Sequence, residues 1–515
     1  MTTTEQHPSS GPRADTARGR VGARELLDIV LDPGSWQSWD IPPAANAGAA
    51  PEYAAELAAA AAKAGTDEAL ITGTGRIDGR TVAIVVSEFR FLAGSIGRAA
   101  TERLVAAVER ATREGLPLCA APTSGGTRMQ EGTRAFVGMV AISAAVARHK
   151  AAGLPFIVYL RNPTTGGVLA SWGSLGHFTA AEPGALVGFL GPRVYEALYG
   201  TAFPAGVQTA ENLYRRGSID AVLPVTALAA VASRVLNVLM SPREGLPELS
   251  ELPKDVLADI PAWESVTRSR RPDRPGVREL LRHAATDVVP LSGTGEGEQD
   301  PSIRIALARF GGIPCVVLGQ DRRNQSESQQ LGPAGLRAAR RGMRLAHELN
   351  LPLISIIDTP GASLSQEAEE GALAGEIARC LADLVALPAP TLCLLLGQGT
   401  GGGAIALLPA DRVICAEHAW LSPLPPEGAS VILHRDVDRA PELAARQRIR
   451  SRDLLADGIV DRIVSERPDA ADDPEQFFER LSHVLRYELA RLLRADAEQR
   501  MAERSARFTR LGSLG

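Results

Sequence analysis

Apolar and polar positions follow two alternating periods along the chain. "TVAIVVSEF" (81–89) and "LPLCAAP" (116–122) are short apolar runs of the kind that form buried strands. "ATERLVAAVERATREG" (100–115) places apolar residues at helical spacing and stops on Gly115, a helix-ending signal. "TSGGTRMQEGTRAFVGMVAISAAVARHKAAG" leads from the strand through a Gly-rich turn into a long helix, and "LPFIVYLRNPTTGGVLASWGSLG" repeats that plan. This alternation predicts an α/β fold.

The pattern recurs. Shifted by 235 positions, Leu116-Pro117-Leu118 falls on Leu351-Pro352-Leu353, Gly126 on Gly361, Pro155 on Pro390 and Thr165-Gly166-Gly167 on Thr400-Gly401-Gly402. "RGSIDAVLP" (216–224) echoes "DGIVDRIVS" (457–465) at a slightly larger offset. A period this long means two duplicated domains and not a solenoid. The expected organisation is a disordered polar tail over 1–22, a first domain over 23–240, a Pro-, Gly- and charge-rich linker over 241–303, and a second domain over 304–515. From about residue 475 the pattern is that of a charged amphipathic docking helix.

Each half carries two Gly turns, 41 residues apart, each where a strand ends and a helix can begin. There, backbone N–H groups are free and glycine lets a ligand approach closely. Such a pair of donors suits an oxygen that becomes negative during a reaction. A lone Gly pair reads as an ordinary turn; four with internal symmetry favour the donor reading. Neither a G-x-x-x-x-G-K-[ST] loop nor a strand-linked G-x-G-x-x-G is present, which disfavours nucleotide folds. Trp172 stands where a nucleophile elbow needs its first glycine, and no histidine is tied to Ser124 by sequence. His177, His347, His418 and His434 lack ligand spacing and read as structural or surface residues. Asp358 ends a strand and reads as a turn-orienting group. Arg128 and Arg193 follow Gly-rich turns and are candidates for binding substrate phosphate or carboxylate, with a solvated surface as the alternative.

Bulk properties narrow the class. The 515 residues exceed one ordinary core, and 45% hydrophobic with 22% charged residues is a soluble globular composition. A net charge of −5 argues against nucleic-acid or membrane binding. The N-terminus has no apolar targeting segment, and no run is long enough to span a bilayer. The five cysteines show no C-x-x-C spacing, so neither a metal site nor a disulfide framework is expected, and the chain reads as cytoplasmic.

"GSIGRAATERLVAAVERATREGLPLCAAPTSGGTRMQEG", "NPTTGGVLASWGSLG", "AEPGALVGFLGPRV" and "RRGSIDAVL" resemble the β subunit of the bacterial acetyl-CoA carboxylase carboxyltransferase. "LPLISIIDTPGA", "GQGTGGGAIALLPADRV" and "PEGASVIL" resemble its α subunit. The chain is thus similar to a fused β–α carboxyltransferase of the actinobacterial type, over about residues 70–465. The resemblance implies two crotonase-like (ββα superhelix) domains, an active site at a dimer interface, and transfer of CO2 from carboxybiotin to the α-carbon of an acyl-CoA. It implies that negative charge develops on the thioester oxygen and on the biotin ureido oxygen. Gly125, Gly126, Gly166 and Gly167 would then serve the acyl-CoA enolate, and Gly361, Ala362, Gly401 and Gly402 would serve biotin.

The same resemblance implies a biotin carboxylase and a separate biotin carboxyl carrier protein as partners, a role in fatty-acid biosynthesis, and a homo-oligomer, dimer or hexamer. The chain has no Met-Lys biotin attachment motif. It departs from the pattern twice: the zinc ribbon of the β subunit is missing, and Ser363-Leu364-Ser365 replaces a Tyr-Pro-Gly after "DTPGA". Two alternatives stand beside this reading: another CoA-thioester enzyme of the same fold, such as a decarboxylase or hydratase, and a non-catalytic partner of an active carboxylase.

Overall fold

The computed structural model describes residues 20–44, 49–240, 252, 257–326 and 329–511. Two mixed sheets form its frame. The first has seven strands, in the spatial order Gln37–Ser38, Leu70–Ile77, Arg80–Ser87, Leu118–Ala121, Phe156–Leu160, Phe178–Ala181 and Ala221–Val222. The second has eight; seven run in the order Ala285–Leu291, Ile303–Phe310, Ile313–Gln320, Leu353–Thr359, Thr391–Thr400, Arg412–Ala416 and Arg462–Val464. The eighth, Trp420–Ser422, pairs with the far end of Thr391–Thr400. In both sheets a hairpin at one edge is antiparallel and the later strands are parallel. The parallel strands read as unbroken apolar runs because helices cover both faces.

The duplication expected from the sequence is present residue by residue. Helices Arg98–Arg113 and Pro333–Glu348 have equal length and stand 235 positions apart. So do two isolated parallel bridges, Ile96 to Thr127 and Leu331 to Ala362. In the first half, Thr164–Thr165 and Val187–Gly188 form a small second layer. In the second half, Gln398–Thr400 and Trp420–Ser422 make the same parallel pairing. Each half is therefore a α/β superhelix of two strand layers and helices, as the crotonase-like expectation requires.

The domain limits differ from the expected ones. The stretch 257–303 is no linker. Helices Ala262–Ser269 and Val277–Ala284 and the edge strand Ala285–Leu291 belong to the second half, and Val277 and Leu280 are fully buried. "RVGARELL" (20–27) and "RPGVRELL" (274–281) are one more repeated element, at an offset of 254. Both start a helix in which Glu25 or Glu279 accepts from the N–H of Gly22 or Gly276. Of the expected tail, residues 20–22 are ordered against the first half, and 1–19 lie outside the described residues, as does most of 241–256.

One apolar core runs through both halves, from Leu26 and Val86 to Leu318 and Ile354, and a second belongs to the first half alone. Helix Val225–Leu239 packs on strands of both sheets. Ionic contacts clamp the halves. Arg341 meets buried Asp220 at 2.9 Å, and Glu348 lies 3.2 Å from both Lys150 and His177. No described helix is long and apolar enough to cross a membrane.

Candidate active site

Both Gly turns of each half meet at one place. In the first half, Thr165 N–H donates to Ser124 O (3.0 Å), which ties the second turn to the first. A Cβ built on Gly166 would stand 3.1 Å from Gly126 Cα, so only glycine permits this approach. Ser124 Oγ accepts from Gly126 N–H (2.9 Å) and shapes the turn. In the second half, Thr359 Oγ1 accepts from Gly361 N–H (3.1 Å), the same bond 235 positions on. Gly126 and Gly361 have φ of +115° and +144°, and Gly166 and Gly401 have +64° and +60°. The backbone shape is thus copied as well as the sequence.

The donors are not all those expected. Gly125 N–H is taken by Ala93 O (2.9 Å), Gly126 N–H by Ser124 Oγ, and Gly166 N–H by Phe189 O (2.8 Å). Among the described residues, the N–H groups of Thr127, Gly167, Ala362, Gly401 and Gly402 have no acceptor outside their own helix or strand. Gly167 and Gly402 are equivalent positions. Of the eight expected residues, Gly167, Gly401, Gly402 and Ala362 present open donors, while the N–H groups of Gly125, Gly126, Gly166 and Gly361 are taken in forming the turns. Adjacent to Gly401 and Gly402 is a pocket of about 460 Å3, with Ile405, Leu421 and Ile459 in its wall.

Arg128 does not face a ligand, which corrects the expectation for it. Its side chain is fully buried, pairs with equally buried Glu68, and donates to Ser95 O at 2.7 Å. Burial opposes its charge, but the Glu68 carboxylate outweighs this and raises the guanidinium pKa above its usual value. Tyr53 is drawn into the same cluster at 2.5 Å from Glu131, and burial with that bond pushes its pKa up to about 12. Arg128 thus pins the first turn from behind. Arg193 lies in the first turn of helix Pro192–Tyr199, and its side chain lies outside the described residues. Asp358 is buried and accepts from Gln398 N–H (3.1 Å), in the neighbouring strand Thr391–Thr400, beside Arg322 at 3.3 Å, while the turn itself is shaped by Thr359. Burial raises its pKa, and Arg322 and Arg274 act against that.

A cleft of about 710 Å3 in the first half was not foreseen from residue order. It lies at the carboxyl ends of parallel strands, where Glu88, Thr123, Arg161, Asn162 and Glu182 follow their strands directly. Arg161 is buried at its floor, donating to Ser87 O (2.9 Å) and to Val21 O, and burial lowers its pKa. Among the described residues no carboxylate comes within ion-pair distance of Arg161. Exposed Arg20, Lys63 and Arg90 stand at the rim, with Arg20 over the Phe89 ring at 4.2 Å. The repeat "RVGARELL" was the signal that could have pointed to Arg20.

Around the turns, each half exposes large apolar side chains at matching positions. Met129 is 81% exposed and its equivalent Leu364 is 92% exposed. Phe189 and Leu198 are matched by Leu424 and Leu433 in the same way. Surfaces of this kind mark interaction sites.

A family model described as a carboxyl transferase domain matches residues 14–501. A Mycobacterium tuberculosis protein named probable biotin-dependent acyl-coenzyme A carboxylase beta3 subunit is 59% identical over 493 residues, 96% of this chain and 99% of that one. The acetyl-coenzyme A carboxylase carboxyl transferase subunits beta/alpha of Salinispora tropica is 36% identical, covering 97% of this chain and 92% of the relative. Among solved structures, transcarboxylase 12S superposes with a TM-score of 0.67 at 22% identity, over 90% of each chain.

Proposed function

The chain belongs to the carboxyl transferase family, and we propose that it moves a carboxyl group from carboxybiotin on a separate carrier protein to the α-carbon of an acyl-CoA. The observation that carries this reading is the matched pair of open donors, Gly167 N–H in one half and Gly402 N–H in the other. The reaction develops negative charge on two oxygens, and the duplicated fold supplies one donor site for each.

On this reading the acyl-CoA lies on the first half. Its thioester oxygen accepts from Gly167 N–H, held by the Gly126–Gly166 contact. Its phosphates meet Arg20, Lys63 and Arg90 at the cleft rim, and Arg161 at the floor, which shares the cleft with Glu88 and Glu182, adds a buried positive charge. Gly402 and Ala362 face the ureido group of biotin, beside the 460 Å3 pocket. Carboxybiotin, when bound, supplies the carboxyl group. The chain's own contribution is to fix both donors before the reaction begins, so no side-chain nucleophile is needed.

A second copy of the chain completes the site. The apolar face at Met129, Phe189 and Leu198 of one copy meets the face at Leu364, Leu424 and Leu433 of the other, as two versions of one surface. That contact brings the acyl-CoA side of one copy to the biotin side of its partner and excludes water from the cleft between. Leu364 lies in the divergent Ser363-Leu364-Ser365 stretch, where Ser365 caps helix Gln366–Glu370 by accepting from Ala368 N–H (3.2 Å). The stretch is therefore well formed, and its change of sequence alters the contact surface.

Purified protein given malonyl-CoA or methylmalonyl-CoA and free biocytin tests the reading. Biotin-dependent formation of acetyl-CoA or propionyl-CoA is expected. Turnover that ignores biotin would instead identify a decarboxylase, and thioester binding without turnover a non-catalytic subunit.

A further inference from the structure

The surroundings of Gly167 bear on which acyl groups the protein accepts, given that the acyl-CoA lies on the first half. A Cβ built on Gly167 would meet Met139 Cγ at 3.4 Å, Met139 Sδ at 3.5 Å and Thr127 Oγ1 at 3.2 Å. Met139 is buried in helix Gly132–Ala151, and its sulfur lies 3.7 Å from Ser171 Oγ, which itself donates to Gly167 O at 2.5 Å. The thioether thus leans on the residue that offers the open N–H. An acyl group whose oxygen accepts from that N–H has its α-carbon two bonds away, within reach of the same side chain. Phe136 and Val140 on the same helix are apolar and exposed, and lead outward from Met139.

The second half is built differently at the equivalent point. A Cβ on Gly402 would meet Ile377 Cδ1 at 2.6 Å, a β-branched side chain with little freedom. A stiff wall suits a ligand that never varies. Methionine, unbranched and with three rotatable bonds, suits one that does.

We propose that Met139 sets the size of the acyl group carried through the reaction, acting as a movable end wall beside Gly167. The test measures kcat/KM with biocytin for malonyl-, methylmalonyl-, ethylmalonyl- and butylmalonyl-CoA. Each methylene admitted to or excluded from an apolar pocket shifts such ratios by about tenfold or more. Met139→Ala is expected to raise the butylmalonyl-to-malonyl ratio at least about tenfold, and Met139→Phe to lower it by a similar factor. Met139→Leu, close in volume, should stay within about threefold of the parent. An equal loss across all four thioesters, or an unchanged ratio in folded Met139→Ala, overturns the proposal. Should the Ala variant not fold, the Phe variant decides, and an unmoved ratio there overturns it equally. A parent protein inactive with every thioester would instead remove the carboxyltransfer reading on which this one rests.

Discussion

Arg20 and Arg274 hold the same place in the two halves, two residues before a helix-starting glycine, and meet opposite fates. Arg20 is exposed at the rim of the 710 Å3 cleft. Arg274 is buried in the second half, where it donates to Glu466 (2.8 Å) and to Leu396 O (2.7 Å). Arg161 floors the first cleft, and its equivalent 235 positions on is Leu396. Helix Ala262–Ser269, with Ser269 bonded to Trp420 Nε1 at 2.9 Å, adds a layer to the second half that has no counterpart among the described residues of the first. The copies therefore agree where backbone geometry faces the reaction and diverge in what surrounds it. Duplication supplied two Gly turns of one shape; in the proposed function each binds one oxygen, and the filled cleft of the second half leaves the first-half cleft for the anionic substrate.

The largest effects should come from breaking what the halves share. Gly166→Val adds a side chain at φ +64° and 3.1 Å from Gly126 Cα, and turnover should fall by about 10²–10³. Gly401→Val, at φ +60° and 3.2 Å from Pro423 O, should lose as much if the second turn serves a second oxygen. Single-turnover rates on protein that retains its thermal transition measure both. A Gly401→Val protein with a tenth or more of the parent rate would show that the second turn takes no part.

Next come the residues in which the halves differ. Arg274→Met leaves Glu466 buried without its partner and should cost about 3–5 kcal/mol of stability, read by denaturant unfolding. Arg20→Met, at the equivalent site, should cost at most about 1 kcal/mol, because Arg20 is exposed and rests on the face of Phe89 without a buried ion pair. Equal losses from the two would erase the distinction. Arg161→Leu gives the first cleft the residue of the second. KM for acyl-CoA should rise about tenfold with little change in kcat. Acyl-pantetheine, which lacks the nucleotide phosphates, should show no such rise, and a rise with both would place Arg161's role in folding.

Much of this was legible from residue order. The constant offset of 235 located both turn pairs and the helices between them, because strand and loop lengths in that stretch are conserved between copies. The repeat before helix Val277–Ala284 stayed hidden, since 19 further residues separate it from its equivalent, an offset of 254 instead of 235. Pro- and Gly-rich composition then made 241–303 read as a linker, although Val277 and Leu280 are core residues. The donor assignment failed at Gly125 and Gly166 for a different reason. A free N–H depends on where distant carbonyls lie, here Ala93 O and Phe189 O, and no local pattern encodes that. Arg128 misled in the same way: its partner Glu68 is 60 positions away.

The smallest expected effect concerns the seam between the halves. His177 Nδ1 accepts from Phe156 N–H (3.0 Å), which places the ring proton on Nε2, 3.2 Å from Glu348 Oε2. The imidazole is held neutral by burial, which lowers its pKa, and its Nε2 lies against the carboxylate at 3.2 Å. That contact, with Lys150 adding to it, holds Glu348 down at about 2, against an ordinary value of 4.5. A carboxylate with a depressed folded pKa stabilises fully above its unfolded value and loses that contribution as pH falls towards the folded one. Stability should therefore drop between about pH 4.5 and 2 more steeply in the parent than in Glu348→Gln, which carries no titrating group there. Glu348 is about one-third exposed, so solvent screens the contact and the difference should be modest. Urea unfolding midpoints across that range read it, and parallel curves for the two proteins would show that the Glu348 contact adds nothing to the seam.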